Sequence, residues 1–204
     1  MRQSKVNTIG APVFRMEFGS GFILLFALIW FFDESGFLAA LVPAMLIHEL
    51  GHIVFLLFFG ARPIKLKAAL SGLKIDYSGV MTDTQEMLTA FAGPAFGLFF
   101  SFLCARFGRL WSSDYLLMCA GLGFIINSFN FLPVKPLDGG RVLSFFLRSL
   151  FGEERAYCIL RISGLMVSSL LLVSGLYLIS MGDGPALFIA GLWLFILQLE
   201  KSCK

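Results

Sequence analysis

Charged residues are scarce in this sequence. Lys, Arg, Asp and Glu together make up 14% of its 204 residues, whereas average soluble proteins carry about 25%. Hydrophobic residues make up 58%, and the mean hydropathy is +0.85. This composition excludes an ordinary water-soluble globule and indicates a chain for which lipid is much of the solvent. We therefore expect the lipid bilayer to be a principal partner of the protein.

Long basic runs and paired cysteines are also missing. The formal net charge is only +3, and no stretch interleaves aromatic residues with Lys and Arg, so no nucleic-acid partner is expected. The four cysteines are scattered without a CxxC pair, which argues against a disulfide framework or a cysteine zinc site. The chain has only two histidines.

Six apolar stretches approach the roughly 20 residues that a helix needs to cross the hydrocarbon layer. They cover residues 16–32, 36–59, 87–105, 115–132, 162–180 and 185–199. When their connections are assigned to alternate sides, 14 of the 16 Lys and Arg fall on one side, which the positive-inside rule makes the cytoplasm. The sequence predicts an all-α membrane protein of about six transmembrane helices, one domain over residues 1–204, with both termini cytoplasmic.

Two connections have patterns of their own. Residues 62–79 alternate apolar residues with lysines around Ser71-Gly72, a pattern typical of a short β-hairpin. We expect this hairpin at the membrane interface, between the second and third transmembrane helices. Residues 142–151 mix aromatic residues with Arg148 at helical spacing, which predicts a helix on the membrane surface.

Both histidines lie in the second apolar stretch, where His48-Glu49-Leu50-Gly51-His52 forms an HExxH pattern. Residues four apart on a helix share one face, so both imidazoles can reach a single zinc ion. Glu49 stands beside that face, where it can take a proton from zinc-bound water and pass it to the leaving amine. A chance match is a weak alternative, because ionisable side chains inside an apolar span are costly and are retained mainly for function.

A catalytic zinc ion usually has three protein ligands, so a third donor must come from elsewhere in the chain. Asp138 is the best candidate. Pro133 and Pro136 prevent the fourth helix from continuing, and Gly139-Gly140 permits a tight turn that brings the carboxylate back toward the membrane. For Asp138 taken alone, an ordinary solvated turn is the alternative.

These residues resemble the site-2 proteases, intramembrane zinc metalloproteases with HExxH on one helix and an aspartate ligand in a later NxxPxxxxDG motif. In this sequence the second motif reads Asn130-x-x-Pro133 followed by Asp138-Gly139. Gly93-Pro94 also resembles the Gly-Pro element that these proteases carry in the intervening helix. The order of the motifs along the chain agrees as well.

The resemblance implies a catalytic core over about residues 36–145 that holds one zinc ion. The implied zinc ligands are His48, His52 and Asp138, and the implied catalytic acid/base is Glu49. Asn130 is implied as a polar contact to the substrate or to the developing oxyanion, with capping of backbone groups as its alternative. Asn127, three residues earlier, is a second candidate for this polar role.

Two positions depart from the pattern of the resembled family. Gly97 stands near where many relatives have an asparagine, and Lys135 stands where a small or apolar residue is common. A compact core without PDZ or CBS domains is most similar to the sporulation-type branch, like the stage IV sporulation protein FB. That resemblance implies the bacterial cell membrane as location, a membrane-associated protein as substrate, and regulatory membrane proteins as partners.

The competing interpretation from another functional class is a membrane zinc-binding protein or transporter in which the same groups bind zinc without hydrolysis. A transporter is expected to carry further carboxylates or histidines along its path. A third interpretation, a catalytically silent relative, is disfavoured because Glu49 is intact.

Overall fold

The computed structural model describes residues 2–3, 15–69 and 72–199. In this part of the chain, helices dominate and four short strands form one sheet. The strands are β1 (Arg2–Gln3), β2 (Arg15–Phe18), β3 (Arg62–Ala69) and β4 (Gly72–Ser78). The helices are α1 (Ser20–Phe32), α2 (Phe37–Phe58), α3 (Asp83–Leu110), α4 (Asp114–Asn130), α5 (Asp138–Phe151), α6 (Glu153–Ser180) and α7 (Ala186–Leu199).

Among the described residues, three helices are long and apolar enough to cross a membrane, namely α2, α3 and α6. Even the shortest, α2 with 22 residues, reaches about 33 Å at about 1.5 Å per residue, which exceeds the roughly 30 Å hydrocarbon core. By contrast, α1, α4 and α7 have 13, 17 and 14 residues. The prediction of six spans is therefore not confirmed. Hydropathy alone did not show where each helix begins, and the first predicted stretch, 16–32, starts inside β2.

The outer faces of the long helices carry large apolar side chains. On α3 and α6, four such side chains are 64–68% exposed: Phe99, Phe102, Leu170 and Val173. Water would disfavour so much contiguous apolar surface, whereas lipid tails accept it. The exposed surface and the three apolar helices together indicate a membrane protein.

Small residues allow α2, α3 and α4 to pack closely. A Cβ atom at Gly51 would lie 2.6 Å from the carbonyl oxygen of Ala92, so only glycine permits α2 to approach α3 there. A Cβ atom at Gly123 would collide with the hydroxyl of Ser101 on α3 and would lie 3.5 Å from the Cβ atom of Ala44 on α2, so α4 packs closely against both helices there. Such small-residue contacts are how helices pack in lipid, where apolar side chains gain little by association. The histidine-bearing helix is thereby fixed against its two neighbours.

The predicted hairpin is present as β3 and β4, which pair antiparallel, although residue 71 of its turn lies outside the described residues. The chain adds two strands that the sequence pattern did not indicate. β2 pairs parallel with β3, and β1 pairs parallel with β4, giving the order β1-β4-β3-β2. The sheet rests on the end of α2, because Ile75 and Tyr77 are buried against Leu56.

The fifth helix begins earlier than predicted. Residues 142–151 were expected as a surface helix, whereas α5 starts at Asp138. Its inner face buries Phe145 and Leu147, and its outer face leaves Phe146 and Leu150 more than half exposed. An apolar outer face of this kind on a helix too short to span is consistent with a position at the membrane surface.

Pro43 interrupts the hydrogen bonding of α2 in a way that the fold repairs. Proline has no N–H, so the carbonyl of Ala39, one turn earlier, loses its helical donor. The hydroxyl of Tyr115 at the start of α4 donates to that carbonyl at 3.0 Å. This contact joins α2 and α4 at the end of the bundle opposite the sheet.

We expect Tyr115→Phe to lower the free energy of unfolding by about 1 kcal/mol, because it leaves the Ala39 carbonyl without a donor. In a Pro43→Ala background the loss should shrink, since alanine restores the helical N–H. Reversible unfolding in lipid–detergent micelles would measure both, as a double-mutant cycle. Tyr177→Phe, on an exposed tyrosine of α6, is the control. Equal losses in both backgrounds would contradict this role for the hydroxyl.

Candidate metal centre

His48 and His52 lie one turn apart on α2 and face inward. Both are nearly inaccessible, with 6% and 3% of their surfaces exposed. Their Nε2 atoms are 3.2 Å apart, as the i, i+4 spacing on a helix predicts. The two imidazoles therefore point at one common position inside the bundle.

Asp138 reaches the same position from the first turn of α5. Its Oδ2 atom lies 3.1 Å from Nε2 of His48 and 3.2 Å from Nε2 of His52. Among the described residues, these three side chains form one group whose donor atoms are close enough to bind a metal ion together. The separation of 86 residues between His52 and Asp138 is closed entirely by tertiary structure.

The donor set fits zinc. In a tetrahedral site with metal–ligand distances of about 2.0–2.1 Å, neighbouring donor atoms lie about 3.3–3.4 Å apart. The three separations of 3.1–3.2 Å are close to this value. Two imidazoles and one carboxylate are also a usual ligand set of catalytic zinc, with the fourth position left open.

Asn127 of α4 holds the outer nitrogen of His48. The two residues meet through Nδ1 of His48 and Oδ1 of Asn127 at 2.7 Å. Nδ2 of Asn127 donates to the carbonyl of Gly123 at 2.6 Å, which orients the amide so that its oxygen faces the imidazole. His48 must therefore donate from Nδ1, and a neutral His48 then carries its lone pair on Nε2.

The outer nitrogen of His52 is fixed by α3. Nδ1 of His52 lies 2.8 Å from the carbonyl oxygen of Thr89. A carbonyl can only accept, so Nδ1 donates and Nε2 of a neutral His52 is also a lone-pair donor. Two lone pairs and a carboxylate oxygen thus converge, and their mutual repulsion requires a cation between them, either a metal ion or a proton on one imidazole.

Two glycines of α3 leave room for these side chains. A Cβ atom at Gly93 would collide with the ring of His52, and one at Gly97 would collide with the amide of Asn127. Gly97 stands near where many members of the resembled family have an asparagine. In this chain the amide of Asn127 fills the space beside Gly97. Sequence reasoning noticed Gly93-Pro94 but not this steric role.

Arg141 holds the second oxygen of Asp138. Its Nη1 atom donates to Oδ1 at 3.1 Å, one turn along α5. Burial alone would raise the pKa of the Asp138 carboxyl, but hydrogen bonds with His48 and His52 and the charge of Arg141 hold it well below its ordinary value. The sequence analysis did not single out Arg141. Its position three residues after Asp138 could have predicted the contact, because residues three apart on a helix are neighbours.

Glu49 and Asn130 lie at the margin of this group. Both are half-buried, and neither side chain forms a hydrogen bond or ion pair with another described residue. Glu49 follows His48 on α2 and is near enough to both histidines and to Asp138 to interact electrostatically with them. Asn127, by contrast, is fully buried.

Comparison of the sequence with known protein families and with curated proteins gives no match. Comparison of the structure with solved structures gives a site-2 protease from Methanocaldococcus jannaschii, with a TM-score of 0.67. The alignment covers 92% of this chain and 90% of that chain at 21% sequence identity. At this identity the likeness shows a common fold over nearly the whole of both chains.

Proposed function

We propose that this chain is an intramembrane zinc metalloprotease that hydrolyses peptide bonds of membrane-associated proteins. The observation that carries the proposal is the convergence of Asp138, from α5, with His48 and His52, which lie with Glu49 on a helix apolar enough to span a membrane. A fold similar to that of a site-2 protease supports it. Ionisable groups are expensive in such a helix, and here they meet in the arrangement that zinc hydrolysis needs.

The residues take the following roles. His48, His52 and Asp138 hold one zinc ion, and Arg141 keeps the carboxylate of Asp138 ionised and oriented. When bound, zinc acts as a Lewis acid that makes water nucleophilic near neutral pH and polarises the scissile carbonyl. Glu49 accepts the proton that the attacking water releases and returns it to the leaving amine, since its carboxylate forms no hydrogen bond or ion pair with another described residue.

The two asparagines separate into different roles. Asn127 is fully buried and occupied by His48 and Gly123, so it fits the role of a positioning residue better than that of a substrate contact. Asn130 is half-buried at the last residue of α4, with its amide unused by other described residues. We assign to Asn130 the hydrogen bond to substrate or oxyanion that the motif implies.

Other features of the proposal come from the sequence. Water reaches the site from the cytoplasmic side, both termini are cytoplasmic, and the substrate is a membrane-associated protein. The C-terminal lysines that contribute to this orientation, at positions 201 and 204, lie outside the described residues. A bacterial membrane, regulatory membrane partners and a role in sporulation stay predictions.

Zinc binding without hydrolysis has less support. A transport path would need further metal-binding groups, and the part of the chain that the structure describes contains the one group at His48, His52 and Asp138. Simple binding also does not need the carboxylate of Glu49, which lies near the ligands and has no hydrogen-bond or ion-pair partner within residues 15–69 and 72–199.

The proposal is tested by zinc-dependent proteolysis. The full chain, purified in lipid nanodiscs, should bind one zinc ion per molecule. Incubated with solubilised bacterial membrane proteins, it should generate new peptide termini in or beside their apolar segments, as mapped by mass spectrometry. A zinc chelator should remove these products, and added zinc should restore them. Stoichiometric zinc without any zinc-dependent termini would favour the binding interpretation instead.

A further inference from the structure

The segment 131–137 connects α4 to α5 and immediately precedes Asp138. On the side away from the metal centre, it contacts the last two helices. Val134 is fully buried, and Leu137, next to Asp138, is nearly so. Both pack against Leu194 of α7 in one apolar cluster. The last helix is thus part of the wall against which the segment rests.

A buried amide on α7 adds a polar contact to this wall. Gln198 is 6% exposed, and its Nε2 atom donates to the carbonyl of Lys135 at 2.7 Å. The Lys135 carbonyl lies three residues before Asp138. On α6, the hydroxyl of Ser163 lies 3.1 Å from the carbonyl of Pro133 in this segment, and it shares its one proton with the carbonyl of Leu160 at 2.9 Å.

The local backbone explains why these contacts are needed. Pro133 and Pro136 have no backbone N–H and prevent the segment from forming a regular helix. A partly buried carbonyl is costly to leave without a donor. Gln198 supplies that donor from outside the segment and thereby holds the Lys135 peptide group in one orientation.

The neighbouring glycines show how tightly the arrangement is built. A Cβ atom at Gly164 of α6 would lie 2.9 Å from the Gln198 side chain, so glycine makes room for the amide. Cβ atoms at Gly139 and Gly140 would collide with backbone atoms of Phe131 and Val134. The segment therefore packs closely against α7 on one side and against the first turn of α5 on the other.

We propose that Gln198 is a positioning residue for the metal centre, which sets the place of Asp138 relative to the two histidines. The last helix of the fold thus controls zinc affinity although it contributes no ligand. The zinc part of this proposal rests on the proposed function, whereas the restraint on segment 131–137 does not. Residues hydrogen-bonded directly to a metal ligand typically change metal affinity by about 10- to 100-fold. Gln198 acts through the Lys135 backbone, so we expect the lower end of this range.

The test compares Gln198→Met with Ser168→Ala in the full chain. Methionine keeps the length and apolar packing of the side chain but removes the N–H donor. Ser168 is a matched control, because it is also buried but bonds within α6, to the carbonyl of Gly164. Zinc affinity is measured by competition with a chelating dye, stability by thermal unfolding, and mobility of residues 131–141 by hydrogen exchange without zinc.

Gln198→Met should weaken zinc binding about tenfold or more and speed exchange in residues 131–141, whereas Ser168→Ala should change neither. Unchanged affinity and exchange in Gln198→Met, or equal changes in both variants, would overturn the proposal. If the wild-type chain binds no zinc, the proposed function fails, and the exchange comparison still decides whether Gln198 restrains the segment. Should Gln198→Met fail to fold, Gln198→Leu, which also lacks the N–H donor, must show the same two effects for the proposal to stand.

Discussion

Replacing Glu49 with glutamine should abolish peptide cleavage while one zinc ion stays bound to the chain. Glutamine keeps the shape of the side chain but cannot accept or return a proton near neutral pH. Glu49 is not among the three converging metal donors, so the substitution leaves them in place. Removal of a general acid/base typically slows a reaction by about 10²- to 10⁴-fold.

The measurement is the rate at which zinc-dependent termini appear, together with zinc content per chain. Glu34→Gln, on an exposed glutamate between α1 and α2, is the matched control and should cleave normally. The same Glu49 variant, in membranes, should retain uncleaved substrate and allow its capture. Unchanged cleavage in Glu49→Gln would exclude Glu49 as the acid/base, and zinc loss would mean that its carboxylate supports the metal instead.

Replacing Asp138 with alanine should remove most zinc affinity and cleavage together. Zinc sites with four protein ligands bind with about 10–16 kcal/mol, or roughly 3–4 kcal/mol per ligand, which corresponds to about 10²- to 10³-fold in the dissociation constant. Asp138 has a second effect, because without its charge Arg141 would face the two imidazoles unpaired. We therefore expect the upper part of this range, measured by competition with a chelating dye.

Graded variants make this prediction sharper. Asp183→Ala, on an exposed aspartate between α6 and α7, should bind zinc as the wild type does. Asn127→Leu should lose about 10- to 100-fold in affinity, since it removes only the partner of His48. An Asp138→Ala variant that binds zinc within a few-fold of wild type would show that the aspartate is not a ligand. An Asn127→Leu variant weaker than Asp138→Ala would reverse the assigned order.

The sequence alone predicted the parts of this protein that depend on local spacing. An apolar run long enough to span lipid predicted α2, and the four-residue spacing of His48 and His52 predicted that both imidazoles face one point. The alternation of residues 62–79 predicted the hairpin, because strands and helices impose different periods on their neighbours. The prolines before Asp138 predicted that α4 could not continue, because proline has no backbone N–H to donate to the preceding turn.

Only the tertiary structure decided which distant groups meet. The amide beside His48 belongs to Asn127, 79 residues away, and the acceptor for His52 is the backbone carbonyl of Thr89, which has no signature in a side-chain pattern. Which described helices are long enough to span a membrane likewise depends on where each helix ends. The strands β1 and β2 depend on which segments pair across the chain. Such contacts arise from packing between elements, where one carbonyl or missing Cβ atom sets the geometry, and local sequence periodicity carries no record of that choice.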